Sequence, residues 1–425
     1  MTPPPPQGPV GDQDEGDGEA GGGGRGKKID PKVWAAVEAL TERFVLVYGT
    51  DTAYDREKLK LISVPAMRLA FGRVAVGLWL TRDYRAMVDP EDLVFEPGDD
   101  VAPPRINMWG GFELQPEPCE SADVDPMLQL LRHLCSETRM IDANGKPMPT
   151  AVDDVMHWIL CWCALPLQQP GTKMATALVM HGAQGTGKNL YFDAWRDLYG
   201  IYGITVTQTE LEDKYNGWVS RKMAAVGDEV VSRAEMYHNK NRLKLIVTQR
   251  DKFAIRDLYA AVRWESNHLN VVFLSNESEP LVLEDRDRRY LVIYTPLEAP
   301  AELYERVRAF LADGGLAKWL DYLLQYDLDG FHAHAKPPFT EAKRALIEAN
   351  WRPAVRFVHD WLDGFLDLPM QVCSVEQLYK AFRRFCDQTG ERWPPSQPRN
   401  TWVCRPHKPP PPKRNRSTCW RTSRI

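Results

Sequence analysis

At 425 residues with a formal net charge of −5, the chain is long enough for two or three domains and is not, in bulk, a polycation built to coat nucleic acid. Eight cysteines make no disulfide scaffold in this length, and no pair has zinc-ribbon spacing, so reduced thiols in a cytosol are the simpler reading. No run reaches the ~18 apolar residues of a membrane span and the start lacks a signal-peptide core, so the chain reads as cytoplasmic, without membrane contact.

Residues 1–30 have almost no apolar content and are expected to be a disordered tail. Residues 31–120 read as a small mixed α+β domain. Trp34, Val37, Leu40 and Phe44 have helical spacing, and a strand follows at Phe44–Tyr48. Short strand-like pieces continue at Leu59–Val64, Arg73–Leu80, Leu93–Phe95 and Met108–Leu114. Residues 121–300 open with two helices: an amphipathic one through Met127, Leu131 and Leu134, and a mostly buried one from Val152 to Leu165. Cys161 and Cys163 fall in the second and read as helix core rather than metal ligands.

Ala177–Met180 is a buried-strand pattern. It runs into Gly182, Ala183, Gln184, Gly185, Thr186, Gly187, Lys188 and Asn189, which fit G-x-x-x-x-G-K-[ST] except that Asn189 replaces the hydroxyl residue. From Asn189 the pattern turns helical, with Leu190, Phe192, Trp195 and Leu198 on one side. Strand, glycine loop and helix are the context a phosphate-binding loop requires: the glycines let backbone amides curl around phosphate, and the helix start adds its positive dipole end. This predicts ATP binding across Gly182–Asn189, with Lys188 reaching the β- and γ-phosphates.

Downstream, Ile204–Thr207 reads as a strand and residues 209–220 as a helix capped by Thr209. Apolar residues then lead into Asp228-Glu229. In a nucleotide site such a strand delivers Asp228 to magnesium and Glu229 to polarise the attacking water. Residues 233–250 read as a helix and 253–265 as two strands. The apolar strand from Leu269 ends at Ser275 and Asn276, where Asn276 can hold the attacking water or sense the γ-phosphate. Arg288 and Arg289 precede the last strand, Tyr290–Tyr294, either as a solvated charge run or as an arginine finger projected into a neighbour's site.

The ordered set GAQGTGKN, AAVGDE, VVFLSN and DRDRRYLVI, preceded by Asn107–Phe112 (NMWGGF), resembles the superfamily 3 helicases and more closely the phage and viral primase–helicases. The resemblance covers about residues 85–300. It implies an α/β fold, a P-loop NTPase (AAA+-like) parallel sheet flanked by helices, assembled as a ring, usually a homo-hexamer, around single-stranded DNA. ATP with Mg2+ would lie between neighbours, with Lys188, Asn189, Asp228, Glu229 and Asn276 acting in cis and Arg288 or Arg289 in trans. Asn189 would offer its amide oxygen to the metal, directly or through water. In the relatives a basic hairpin grips DNA in the pore. Here Leu258 occupies a position where a lysine is common, leaving Lys252, Arg256 and Arg263 as DNA-binding candidates.

Residues 301–390 read as a helical segment, one helix over 302–326 and two or three over 351–388, the last resembling the start of a winged helix. Residues 391–425 are Pro-rich and basic without periodicity, and read as a disordered tail with an out-of-frame or truncated ending. No primase-type carboxylate set is recognisable, so priming is expected from a separate primase or polymerase partner. The expected function is an ATP-dependent DNA helicase of phage or prophage replication in a bacterial host cell. The alternative is an ATP-switched DNA-binding replication protein that does not unwind.

Overall fold

The computed structural model describes residues 30–140, 148–213, 215–229, 245–249, 252–256, 263–284, 287–369, 371 and 373–390. The expected N-terminal and C-terminal tails, most of the helix expected over 233–250, and Leu258 lie outside the described residues. The chain divides into two units, the first made of Met1–Gly111, Val219–Arg221 and Asp251–Asn267 and the second of the remainder.

In the first unit α1 (Pro31–Arg43) starts where sequence spacing puts it, with Pro31 in the first turn and the Asp30 carboxylate accepting from the Lys32 amide at 2.9 Å. Strands β1 (Phe44–Val47), β2 (Thr52–Asp55), β3 (Lys60–Ser63) and β4 (Met87–Val88) form one sheet in the order β3-β2-β1-β4. Helices α2 (Val64–Phe71) and α3 (Arg73–Thr81) cover it. The strand expected at Arg73–Leu80 is therefore a helix. The run RVAVGLWL is apolar enough to read either way, but Ala75, Val76 and Trp79 go inside together, a helical spacing that buries them against Val37, Phe44 and Met67.

Two short strands, β5 (Leu93–Val94) and β6 (Ile106–Asn107), pair in parallel, and the strand expected at Met108–Leu114 does not form, that stretch being irregular throughout. Asn107 explains why. Its amide oxygen accepts from the Glu96 and Trp109 amides, both at 3.0 Å, and its nitrogen donates to the Glu96 and Asp99 carbonyls at 2.8 and 3.1 Å. The chain turns around this side chain instead of extending a ladder.

The second unit begins with α4 (Asp125–Cys135) and α5 (Ala151–Gln168), in which Cys161 and Cys163 are both buried. Then come β7 (Ala177–His181), α6 (Lys188–Asp197), β8 (Gly203–Val206), α7 (Gln208–Glu212) and β9 (Ala224–Asp228). The strand pair β10 (Phe253–Ile255) and β11 (Arg263–Glu265) belongs to the first unit, and β12 (Asn270–Ser275) and β13 (Tyr290–Tyr294) return to the second. Helix α7 is shorter than the 209–220 helix expected. Glu210 reaches back to the Thr207 amide at 2.9 Å, so the cap is Thr207 rather than Thr209, and at Asp213 the backbone is already extended.

Five strands form one all-parallel sheet in the order β13-β7-β12-β9-β8. Every residue of β7 and β12 is buried, as expected of central parallel strands covered on both faces. Each fully buried Val, Leu, Ile or Phe there stabilises the sheet by about 1.5–3 kcal/mol. Helices follow at Ala301–Ala312, Gly315–Gln325, Glu341–Ala349, Pro353–Leu362 and Val375–Thr389. The single helix expected over 302–326 is broken at Gly314, which sits at φ +75°, and a Cβ on the next residue, Gly315, would lie 2.4 Å from the Phe310 carbonyl. Phe357, Phe382 and Phe385 join the last two helices in a small apolar cluster.

Candidate active site

The C-terminal edge of a parallel sheet gathers the loops that follow its strands, and ligands bind there. The Gly182 amide donates to the Ser275 carbonyl at 3.2 Å, tying the start of the glycine loop to the end of β12. Gly182, Gly185 and Gly187 have φ of +143°, +82° and +90°, which L side chains rarely adopt. A Cβ on Gly182 would lie 2.5 Å from Thr295 Oγ1 and 2.8 Å from the Thr295 carbonyl, so Thr295, which follows β13, buttresses the loop from behind.

Lys188 opens α6 with only 4 % of its surface exposed. Its Nζ donates to the carbonyls of Ala183 at 2.7 Å and Gly182 at 3.0 Å, and to Asn276 Oδ1 at 3.2 Å. Burial holds this ammonium below its ordinary pKa, opposed by the negative charge of Asp228. Ala183, Gln184, Gly185 and Asn189 are exposed, and Thr186 is buried with its hydroxyl 3.4 Å from that of Thr295. Just before the loop, His181 is buried with Nδ1 3.2 Å from the Glu277 carbonyl. Burial pushes its pKa down to about 4, so the imidazole is neutral at physiological pH.

Asp228 closes β9 and Glu229 follows it at φ +50°, a left-handed conformation uncommon for a residue with a side chain. The Glu229 amide donates to the Leu274 carbonyl at 3.0 Å, which turns its carboxylate toward the end of β12. Asn276 Nδ2 donates to Glu229 Oε1 at 2.8 Å while Asn276 Oδ1 accepts from Lys188. A cation on one side and a carboxylate on the other leave one orientation of the amide in which both bonds form. Because β12 lies between β7 and β9, the residue after it is the one able to join the loop lysine to the acidic pair. Lys188, Asp228, Glu229 and Asn276 are thus brought together.

Arg288 and Arg289 are at the other end of the sheet. Tyr290 pairs with Ala177 and Tyr294 with His181, so β13 begins where β7 begins, one strand length from the loop, or about 16 Å at ~3.3 Å per residue. The two arginines also differ from each other. Arg289 Nε donates to Asp287 Oδ2 at 2.7 Å, and the side chain of Asp287 is fully buried. Lys343, 2 % exposed, lies 3.8 Å from the same carboxylate and donates to the Tyr290 carbonyl at 2.7 Å. Arg288 is exposed and forms no ion pair among the described residues. With Lys336 and His334 it lines a cleft of about 580 Å³.

Of the DNA candidates, Lys252 and Arg256 are exposed in the first unit. Arg263 turns inward: its Nη2 donates to Ser220 Oγ at 2.8 Å, and its Nε lies 3.8 Å from the buried carboxylate of Glu265. Sequence reasoning missed Thr295, Asp287 and Lys343. A threonine directly after an apolar strand and a lysine inside an amphipathic helix carry no signal of their own.

Among the described residues no helix is long and apolar enough to cross a membrane, and no group of three or more His, Cys, Asp or Glu side chains is arranged to hold a metal ion. Magnesium asks less of a protein. It keeps several waters and takes one or two protein oxygens beside the phosphates, and the Asp228 carboxylate and the exposed Asn189 amide are hard oxygen donors of that kind.

A family of unknown function, DUF5906, matches residues 180–289, which run from the end of β7 to Arg289. The DNA primase-polymerase of Nitratiruptor phage NrS-1 is 30 % identical over 141 residues, 32 % of this chain and 19 % of the relative. The chain therefore matches about a fifth of that relative's length. The apo structure of the NrS-1 C-terminal region superposes with a TM-score of 0.61 at 18 % identity, covering 84 % of this chain and 87 % of that one. A second form of the same region gives 0.58 at 18 % identity over 83 % and 86 %. The chain shares the fold of that region along most of its length.

Proposed function

We propose that the chain is an ATP-hydrolysing motor that translocates on single-stranded DNA and unwinds duplex DNA during phage or prophage replication. The observation that carries this reading is the bridge Lys188–Asn276–Glu229 at the mouth of the glycine loop. ATP lies along Gly182–Asn189, and Lys188 exchanges the loop carbonyls for the β- and γ-phosphate oxygens. Glu229 accepts a proton from the water that attacks in line, and Asn276 fixes that carboxylate relative to Lys188. Asp228 and Asn189 would hold Mg2+, which when bound would neutralise phosphate charge.

Charge that builds on the transferring phosphoryl group and its leaving oxygen is stabilised by a further cation. The exposed Arg288, one strand length from its own loop, serves the site of a neighbouring subunit. A heterologous contact of this kind closes into a ring, and we take the ring to be a homo-hexamer. Similarity over about a fifth of the length of a phage DNA primase-polymerase supports a place in DNA replication. The test is ATPase activity stimulated by single-stranded DNA and abolished in Lys188→Ala; full activity in that variant removes the reading. A second reading, an ATP-switched DNA-binding protein without unwinding, is favoured by the inward turn of Arg263, which subtracts a cation from the hairpin. Strand displacement on a forked substrate separates the two.

A further inference from the structure

The second unit holds a cavity of about 510 Å³ beside the ends of β7 and β13, and none of Gly182–Asn189, Asp228, Glu229 or Asn276 lines it. Val292 of β13 gives it an apolar wall, as do Ala342, Ala345 and Ala349, which recur on one face of the helix Glu341–Ala349. The Glu341 amide donates to the Arg139 carbonyl at 2.9 Å, which brings residues 137–139 to the same place.

Two buried polar atoms of this lining have no hydrogen-bond partner among the described residues. His181 and Thr138 are 4 % and 7 % exposed, and the unpartnered atoms are His181 Nε2 and Thr138 Oγ1. Thr340 in the same lining is satisfied: its hydroxyl donates to the Val292 carbonyl at 2.5 Å and accepts from the Lys343 amide at 3.1 Å. The state of the imidazole follows from its other nitrogen. A carbonyl only accepts, so the bond to Glu277 puts the hydrogen on Nδ1, and burial keeps the ring neutral. Nε2 is therefore a lone pair in the wall of a cavity, and it calls for a donor.

The charges around the cavity name the kind of donor. Glu137, Glu279 and Glu341 line it against one cation, Arg139. A phosphate or carboxylate would meet net negative charge and find no donor at Nε2. A bare metal ion does not fit either, because among the described residues these carboxylates do not converge into a group able to hold one. Separated carboxylates beside apolar walls suit a ligand that carries N–H groups along an aliphatic chain.

We propose that this cavity binds a small aliphatic polyamine, one ammonium group donating to His181 Nε2 and the others pairing with Glu137, Glu279 and Glu341. Tyr294, 50 % exposed with its ring edge-on to the imidazole at 5.4 Å, turns aside to admit the ligand. The site does not rest on the motor reading. It touches that reading at one point, because His181 adjoins Gly182 and its carbonyl accepts from the Thr295 amide at 2.8 Å, so the ligand is seated against the strand that carries the glycine loop.

The test is isothermal titration calorimetry of the full chain, stripped of nucleic acid and nucleotide, with spermidine as the probe. Saturable binding of one spermidine per chain is expected, with butanediol, which lacks the charges, at least about tenfold weaker. His181→Phe keeps a ring beside Tyr294 and removes the acceptor, and is expected to weaken spermidine about tenfold or more. His181→Gln is expected to stay within about threefold of the parent, since its amide oxygen takes the place of Nε2. Glu137 and Glu341 are exposed, so a Glu137→Gln, Glu341→Gln double variant is expected to fold as the parent does. It should bind spermidine about tenfold more weakly at low salt, with a smaller difference at high salt.

Absence of saturable binding overturns the proposal, and so does butanediol binding as well as spermidine. A folded His181→Phe with affinity within twofold of the parent also overturns it. Should that variant not fold, unchanged affinity in the double glutamine variant decides against the site in the same way. Displacement of spermidine by adenosine overturns it too, and makes the cavity the base end of the nucleotide site. Lys188→Ala is expected to lose hydrolysis and keep its spermidine affinity, which tells failure of the motor reading apart from failure of this one.

Discussion

Asn276 donates its amide hydrogen to Glu229 Oε1 at 2.8 Å, across the gap between the ends of two neighbouring parallel strands. Its oxygen accepts from Lys188 at 3.2 Å, so one side chain couples the loop lysine to the proposed base. Glu229 is held at φ +50°, a conformation that persists only where its surroundings over-determine it.

Removing the bridge separates these roles. Asn276→Ala is expected to lower kcat for ATP hydrolysis by about 10²-fold, the low end of what a positioned acid–base group contributes, with little change in KM. Steady-state ATPase kinetics check it. An equal rise in KM with kcat preserved would instead assign Asn276 to nucleotide binding.

Gly187→Ala tests the loop's backbone. The new Cβ would sit at φ +90°, 2.8 Å from Leu130 Cδ1 and 2.9 Å from Tyr304 Cε1. The expected cost is about 1–3 kcal/mol, measured by denaturant unfolding, together with loss of nucleotide binding.

The two arginines are expected to behave oppositely. Arg288→Ala should leave the melting temperature in place and abolish hydrolysis in the assembled protein, because its side chain is exposed and makes no ion pair among the described residues. Arg289→Ala leaves the buried Asp287 carboxylate without its guanidinium, a change expected to destabilise by about 3–5 kcal/mol. Thermal unfolding and ATPase assays on the same preparations separate them.

Lys343 gives a pH dependence. Burial pushes its pKa down to about 8 from an ordinary 10.5, with Asp287 opposing the shift. Between those values the unfolded chain binds a proton that the folded one has released, so this group's contribution to stability rises as pH rises from about 8 toward 10.5. The slope is at most about 1.4 kcal/mol per pH unit. Urea unfolding at stepped pH should show that rise in the parent and a flatter profile in Lys343→Met; parallel profiles would exclude it.

Local backbone demands write some features of this protein directly into its residues. Three glycines at positive φ, a buried strand before them and a helix after them are requirements of adjacent residues, and they are legible in GAQGTGKN. The burial of β9, β12 and β13 is legible for the same reason, since a parallel strand covered on both faces must be apolar throughout. The apolar run at Arg73–Thr81 shows the limit, because uniform hydrophobicity carries no period and packing against Phe44 chose the helix. Strand order decided the rest. Only with β12 between β7 and β9 does Asn276 reach both Lys188 and Glu229, and the packing of Lys343 beside Asp287 buries the carboxylate that Arg289 pairs with while Arg288 stays exposed. In DRDRR the two arginines are equivalent. Whether a charged group is buried depends on residues far along the chain, and no local pattern records that.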